Sequence, residues 1–166
     1  MREIFSRYSV RKFQDKPIEP EKVKRLLEAA MQAPSAGNQQ PWEFLVVTNQ
    51  ESKEAIARIC RYAKPIVGAP LGIVTLQNAA SLAYPECVQQ DLGAANENIL
   101  LEAVHLGLGG VWMAIMGFRD QMKGIKEYFK LPDRIEAFST IAIGYPAENK
   151  TPQLRYDEKR AHYEAY

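Results

Sequence analysis

Cysteine, histidine and tryptophan each occur only twice in the 166 residues, and neither sign of charge is in excess. Cys60 and Cys87 are too few and too far apart for a C-x-x-C redox or zinc motif, and a chain of this length needs no disulfide to hold a core. Both are expected to be reduced and structural, Cys87 as a packed thiol rather than a reactive one. His105 and His162 stand apart from any His/Cys cluster at metal-binding spacing. The 21 Lys and Arg against 20 Asp and Glu leave a formal net charge of +1, which provides no field to gather nucleic acid or an anionic membrane surface. No stretch comes near the roughly twenty apolar residues of a membrane helix. The opening Met-Arg-Glu-Ile-Phe lacks the apolar region of a secretion signal, so the expected compartment is the cytoplasm. Also missing are a G-x-S-x-G nucleophile elbow and a G-x-x-x-x-G-K-[ST] phosphate loop.

What remains is an ordinary globular composition, 46% hydrophobic and 25% charged, without repeats, which fits one domain over residues 1–166. Pro20 and Glu21 suit a first helical turn, and Val23, Leu26, Leu27, Ala30 and Met31 follow at helical spacing until Pro34 stops the pattern. Residues 42–48 (WEFLVVT) predict a buried strand, and Asn49 caps a helix with Ile56, Ile59 and Cys60 on one face. Residues 71–76 (LGIVTL) predict a second strand. Residues 88–106 predict the longest helix, with Leu92, Ala95, Ile99, Ala103 and Leu106 as its buried stripe and Gly93 at a close packing contact. Strands at 110–116 and 137–144 flank a helix at 119–129. The alternation argues for a mixed sheet covered by helices. The tail at 151–166 carries Tyr156, Tyr163 and Tyr166, too aromatic for a disordered end, and is expected to dock, a partner subunit being one candidate.

Three stretches could carry chemistry. RYSVRKF, residues 7–13, places two arginines at i and i+4 with hydroxyls between them, a set suited to a phosphate monoester; by itself it reads more readily as a solvated basic patch. APSAGNQQPW, residues 33–42, holds Ser35, Asn38, Gln39 and Gln40 between two prolines, with Gly37 allowing close backbone approach. GLGGVWM, residues 107–113, closes a helix and enters a strand, the reverse of a dinucleotide-binding fingerprint, and is read as a glycine cap.

Taken in order, RYSVRKF, APSAGNQQPWEFLVV, QDLGAANENILLEAVHLGLGGVW (residues 90–112) and the tail RYDEKRAHYEAY (residues 155–166) resemble the nitroreductase family of FMN-dependent oxidoreductases over nearly the whole chain. The resemblance implies an α+β fold with a central mixed sheet flanked by helices. It further implies an intertwined homodimer whose C-terminal tail, residues 150–166, is exchanged between subunits, with FMN at the interface. Arg7 and Ser9 would then hold the flavin phosphate with Arg155, and with Arg160 as a further helper, while Tyr8 would be a further cofactor-binding residue. Arg11 would lie near the pyrimidine ring, with Lys64 a second basic candidate there. Pro34, Ser35 and Asn38 would come from the partner's loop, and the backbone of Met113 and Ala114 would pass beside the isoalloxazine. No catalytic side chain is implied. The chemistry implied is hydride transfer from NADH or NADPH through flavin N5 to a small acceptor such as a nitroaromatic or a quinone. Alternatives are a flavin-storing or flavin-sensing protein with little turnover, or a specialised flavin-processing relative. Two departures from the family pattern stand out. Only residues 77–86 (QNAASLAYPE) occupy the place of a longer flavin-covering insertion, and Ala114, Ile115 and Met116 replace a glycine-containing turn.

Overall fold

The computed structural model describes residues 2–80 and 82–166; Met1 and Ser81, the latter within the short 77–86 segment, lie outside the described residues. The chain opens with one helical turn, α1 (Glu3–Ser6). Pro20 then starts α2 (Pro20–Met31), where its missing N–H is no loss. After β1 (Trp42–Val47), the Asn49 side chain accepts from the Ser52 N–H at 3.1 Å and starts α3 (Gln50–Ile59). β2 (Leu71–Asn78), α4 (Val88–His105), β3 (Gly109–Ala114), α5 (Arg119–Phe129) and β4 (Ile135–Gly144) complete the domain. β3 stops two residues short of the expected strand because the N–H groups of Ile115 and Met116 both turn onto the Phe138 carbonyl, at 3.0 and 2.8 Å.

The strands lie in the order β1-β2-β4-β3, and every neighbouring pair is antiparallel. The expected mixed sheet is therefore antiparallel through its four strands. Its parallel component, among the described residues, is the single bridge of Ser9 to Gly110. Side-chain alternation splits the core in two. Leu71, Ile73, Ile141 and Ile143 pack on one face under α2 and α4, with Leu26, Leu92 and Ile99. Val74, Val111, Met113 and Ala142 pack on the other under α3 and α5, with Ile56 and Ile125.

Two polar features run through this core. Thr75, Asn96 and Ser139 are fully buried; the Thr75 hydroxyl donates to Asn96 Oδ1 and Asn96 Nδ2 donates to the Ser139 hydroxyl, both at 2.6 Å. This chain ties the middle of α4 to the irregularity in the β2–β4 ladder at Thr75/Leu76. Gly93 faces the Trp112 ring at an ordinary 3.6 Å from where a Cβ would stand, so its neighbour is a strand side chain at van der Waals distance and the contact is looser than the close packing expected from sequence. Met31, on the expected apolar stripe of α2, is exposed, as are Ile4 and Phe5 of α1. The tail beyond Glu148 forms no strand, and Leu154, Tyr156, Tyr163 and Tyr166 are all exposed.

Candidate functional site

Residues 9–10 pair with the β3 edge of the sheet, and residues 12–14 with the stretch that follows β4. The Val10 N–H donates to the Gly110 carbonyl at 3.0 Å, and Phe13 bridges to Pro146. This approach requires a glycine at 109: a Cβ there would stand 2.4 Å from Val10 Cγ2. The helix-ending glycine stretch therefore also gives the basic N-terminal segment its seat. Alternation along that segment buries Val10 and turns Arg7 and Ser9 into a cavity of about 360 Å³, lined also by Glu97, Leu100, Trp112 and Ala114.

Arg7 carries a positive charge at the seam between two cavities. Its Nε contacts Glu97 Oε1 at 3.3 Å. The same residue borders a larger cavity of about 680 Å³ with Phe5, Tyr8, Lys150, Arg155 and Tyr156. The Tyr8 hydroxyl donates to the Glu148 carbonyl at 2.7 Å, and Lys12 pairs with the Glu148 carboxylate. That pairing raises the Lys12 pKa and lowers that of Glu148, chiefly through their hydrogen bond. Arg11 donates to the Ser9 carbonyl at 3.3 Å and lines a third depression of about 490 Å³ with Lys12, Phe13 and Lys64.

Within one chain the fold thus gathers Arg7, Tyr8, Ser9, Ala114 and Arg155 around adjoining cavities, and it joins Arg11 to Lys64. Met113 contributes backbone alone, since its side chain is buried on the opposite face of the sheet. Pro34, Ser35 and Asn38 line none of these cavities. They sit on an exposed turn beside Tyr84 and Asp91, where the Ser35 hydroxyl accepts from the Gln40 N–H at 3.0 Å. Arg160 pairs locally with Asp157 at 3.3 Å. Glu97, Trp112 and Lys150 were not singled out from sequence. Glu97 and Trp112 lie inside the recognised 90–112 motif, but nothing in their spacing marks them, because β3 only meets α4 through the fold. Among the described residues no His, Cys, Asp or Glu group could hold a metal ion, and no helix is long and apolar enough to cross a membrane.

A four-stranded antiparallel sheet between helical layers, with arginines and a hydroxyl seated on its edge strand, has close counterparts among known proteins. The Nitroreductase family profile matches residues 4–145, and this chain belongs to that family. A relative from Methanothermobacter thermautotrophicus, provisionally named NADH dehydrogenase/NAD(P)H nitroreductase, is 37% identical over 163 residues, covering 98% of this chain and 85% of its own. A crystal structure from Clostridium acetobutylicum, of a protein provisionally named NADH oxidase, superposes with a TM-score of 0.95 at 43% identity over 99% of both chains. A provisionally assigned nitroreductase from Desulfovibrio desulfuricans, solved in complex with FMN, superposes with a TM-score of 0.88 at 30% identity over 99% of this chain and 96% of its own.

Proposed function

We propose that this protein carries a hydride from NADH or NADPH, by way of FMN, to small acceptors such as nitroaromatics or quinones, in a site completed by a second copy of the chain. It is an FMN-dependent NAD(P)H oxidoreductase of the nitroreductase family. The observation that carries the residue-level reading is the convergence of Arg7, Ser9, Ala114 and Trp112 on one cavity and of Arg7 with Arg155 on the next.

The residues present fit the cofactor. Glu97 engages the Nε of Arg7, while Ser9's hydroxyl makes no hydrogen bond among the described residues; an arginine fork and a free hydroxyl are the donors that a phosphate monoester takes. Arg155 and Tyr8 border the same phosphate end. Arg11, seconded by Lys64, supplies positive charge where reduction places negative charge on the flavin pyrimidine. Ala114 is the small exposed residue on β3 past which a planar ring can lie, and the Met113–Ala114 backbone offers amide groups to its edge. Bound FMN supplies the hydride chemistry, and the protein supplies position and charge.

The homodimer is part of the proposal. Pro34, Ser35 and Asn38 stand apart from the arginines within one chain, which suits a turn that serves the partner's flavin. The exposed Leu154, Tyr156, Tyr163 and Tyr166 of the tail, with the unpaired outer edge of β1 among the described residues, suit exchange of residues 150–166 between subunits. Both cysteines are free thiols, in keeping with a reducing cytoplasm.

The test is to load the purified protein with FMN and add NADH and NADPH separately without oxygen. Bleaching of the flavin band by either donor is expected. A bound flavin that stays oxidised with both donors would turn the reading to storage or sensing.

A further inference from the structure

Asp91 lies in the first turn of α4 with only 5% of its surface exposed, and the reading above makes no use of it. Its bonds reach the 34–40 turn: Oδ1 accepts from the Ala36 N–H at 3.0 Å, and Oδ2 accepts from Gln39 Nε2 at 2.7 Å. Gln39 in turn grips the Tyr84 backbone twice, Nε2 donating to the carbonyl and Oε1 accepting from the N–H, both at 3.0 Å. These partners admit one amide orientation. Nε2 must face a carbonyl and a carboxylate, and Oε1 must face an N–H. The turn so clasped holds two non-glycine residues in the left-handed region, Asn38 at φ 56° and Gln40 at φ 47°, which costs them strain; Gly37 takes its φ of 54° freely, and a Cβ there would stand 2.5 Å from the Tyr84 ring. Asn38 is exposed on the outer side of this turn.

We propose that Asp91 and Gln39 are positioning residues for flavin reduction, holding the 35–38 turn in the strained shape that presents Ser35 and Asn38 to the partner's flavin. The inference rests on the reading that this turn touches the flavin. Its chemistry is specific, because the clasp needs a donor on Gln39 directed at a carboxylate on Asp91. Gln39→Glu replaces that donor by a second carboxyl oxygen. Two carboxylates so close hold one proton between them at low pH and repel at high pH. In its protonated form the introduced carboxyl has one O–H, which can restore the bond to Asp91 but not the glutamine's second donation to the Tyr84 carbonyl, so recovery is partial.

The experiment uses the FMN-loaded protein and follows anaerobic bleaching by the better nicotinamide donor between about pH 5 and pH 8, since burial and a neighbouring carboxylate both move the titration of an introduced carboxyl upward. Q39E is expected to bleach roughly ten- to a hundredfold more slowly than wild type at the upper end and to recover in part as pH falls, a limb the wild type lacks. D91N keeps one acceptor oxygen, so its amide N–H group must face either Gln39 Nε2 or the Ala36 N–H, and the variant is expected to be slow at every pH. Folded Q39E and D91N that bind FMN and bleach at wild-type rates throughout would overturn the proposal. So would a slow Q39E without recovery at low pH, which marks a merely structural role. The S35A/N38A double variant separates the two readings. If it leaves the bound-flavin spectrum and bleaching rate unchanged, the turn does not touch the flavin. If it changes them while Q39E and D91N do not, the positioning role alone fails.

Discussion

Single residues in this chain act through what surrounds them. Arg7 has its Nε on Glu97 and borders two cavities, so under the proposed function its removal would strip charge from the phosphate end and leave the ring end untouched. Arg7→Ala is expected to weaken FMN by roughly ten- to a hundredfold, the worth of a charge-assisted hydrogen bond or two, while riboflavin binding changes little. Titrating both ligands by fluorescence quenching checks this, and equal losses would remove Arg7 from the phosphate. Cys60 is 1% exposed, and burial pushes its thiol up to about 11, whereas Cys87 is half-buried. An alkylating reagent at neutral pH is expected to modify Cys87 first and Cys60 only on unfolding, as peptide mass mapping would show. The sequence announced Arg7 and Ser9 through their motif. It was silent about Asn96, which sits among Leu92, Ala95 and Ile99 on a fully buried stripe: a polar residue there reads as a flaw in the pattern until Thr75 and Ser139 arrive from two distant strands to satisfy it.

At the level of elements, the legible parts were those with local causes. Pro20 and Asn49 start their helices as capping chemistry dictates, and the four strands fall where β-branched and aromatic residues cluster. Strand direction was not legible, because helix–strand alternation serves parallel and antiparallel sheets alike, and here long connections return every strand antiparallel to its neighbour. The third motif was legible as a helix stop but not as a seat, since Val10 is nearly a hundred residues away in the chain. Gly109→Ala tests that seat. The added methyl would meet Val10 at 2.4 Å on a well-packed edge, and overpacking of this kind costs about 1 to 3 kcal/mol. A lowered melting temperature together with weakened FMN is expected. Val10→Ala in the same chain is expected to restore part of both, whereas FMN binding unaffected by G109A would detach the 7–13 segment from the site.

For the molecule as a whole, acid and assembly set the limits. The Tyr145 hydroxyl bonds to the Glu19 carboxylate at 2.6 Å, and this bond first, with the backbone and Lys22 assisting, holds the Glu19 pKa down to about 2 from 4.5. A carboxylate depressed by folding stabilises the folded state above its unfolded pKa and loses that contribution as pH falls from about 4.5 toward 2. Because Glu19 is solvent-exposed the effect is screened, so Tyr145→Phe is expected to flatten the acid limb of the stability curve only modestly, as urea titrations at pH 3 and 6 would show. Deleting residues 150–166 removes Arg155 and the exposed tyrosines together. A shift from dimer to monomer mass with loss of FMN is expected, and a truncated chain that remains an FMN-loaded dimer would reject tail exchange.

The Tyr8 hydroxyl meets the Glu148 carbonyl across 140 residues of chain, and the Ala147 N–H closes onto the Lys12 carbonyl beside it. During synthesis the 7–13 segment therefore finds its first seat when Gly110 has emerged and its last contacts only with residues 147–148. Helical turns and the β1–β2 pairing can form while translation continues, but the arginine-bearing edge is completed only at that point. If these arginines hold the flavin as proposed, cofactor capture follows the emergence of residues 147–148 and comes late in folding.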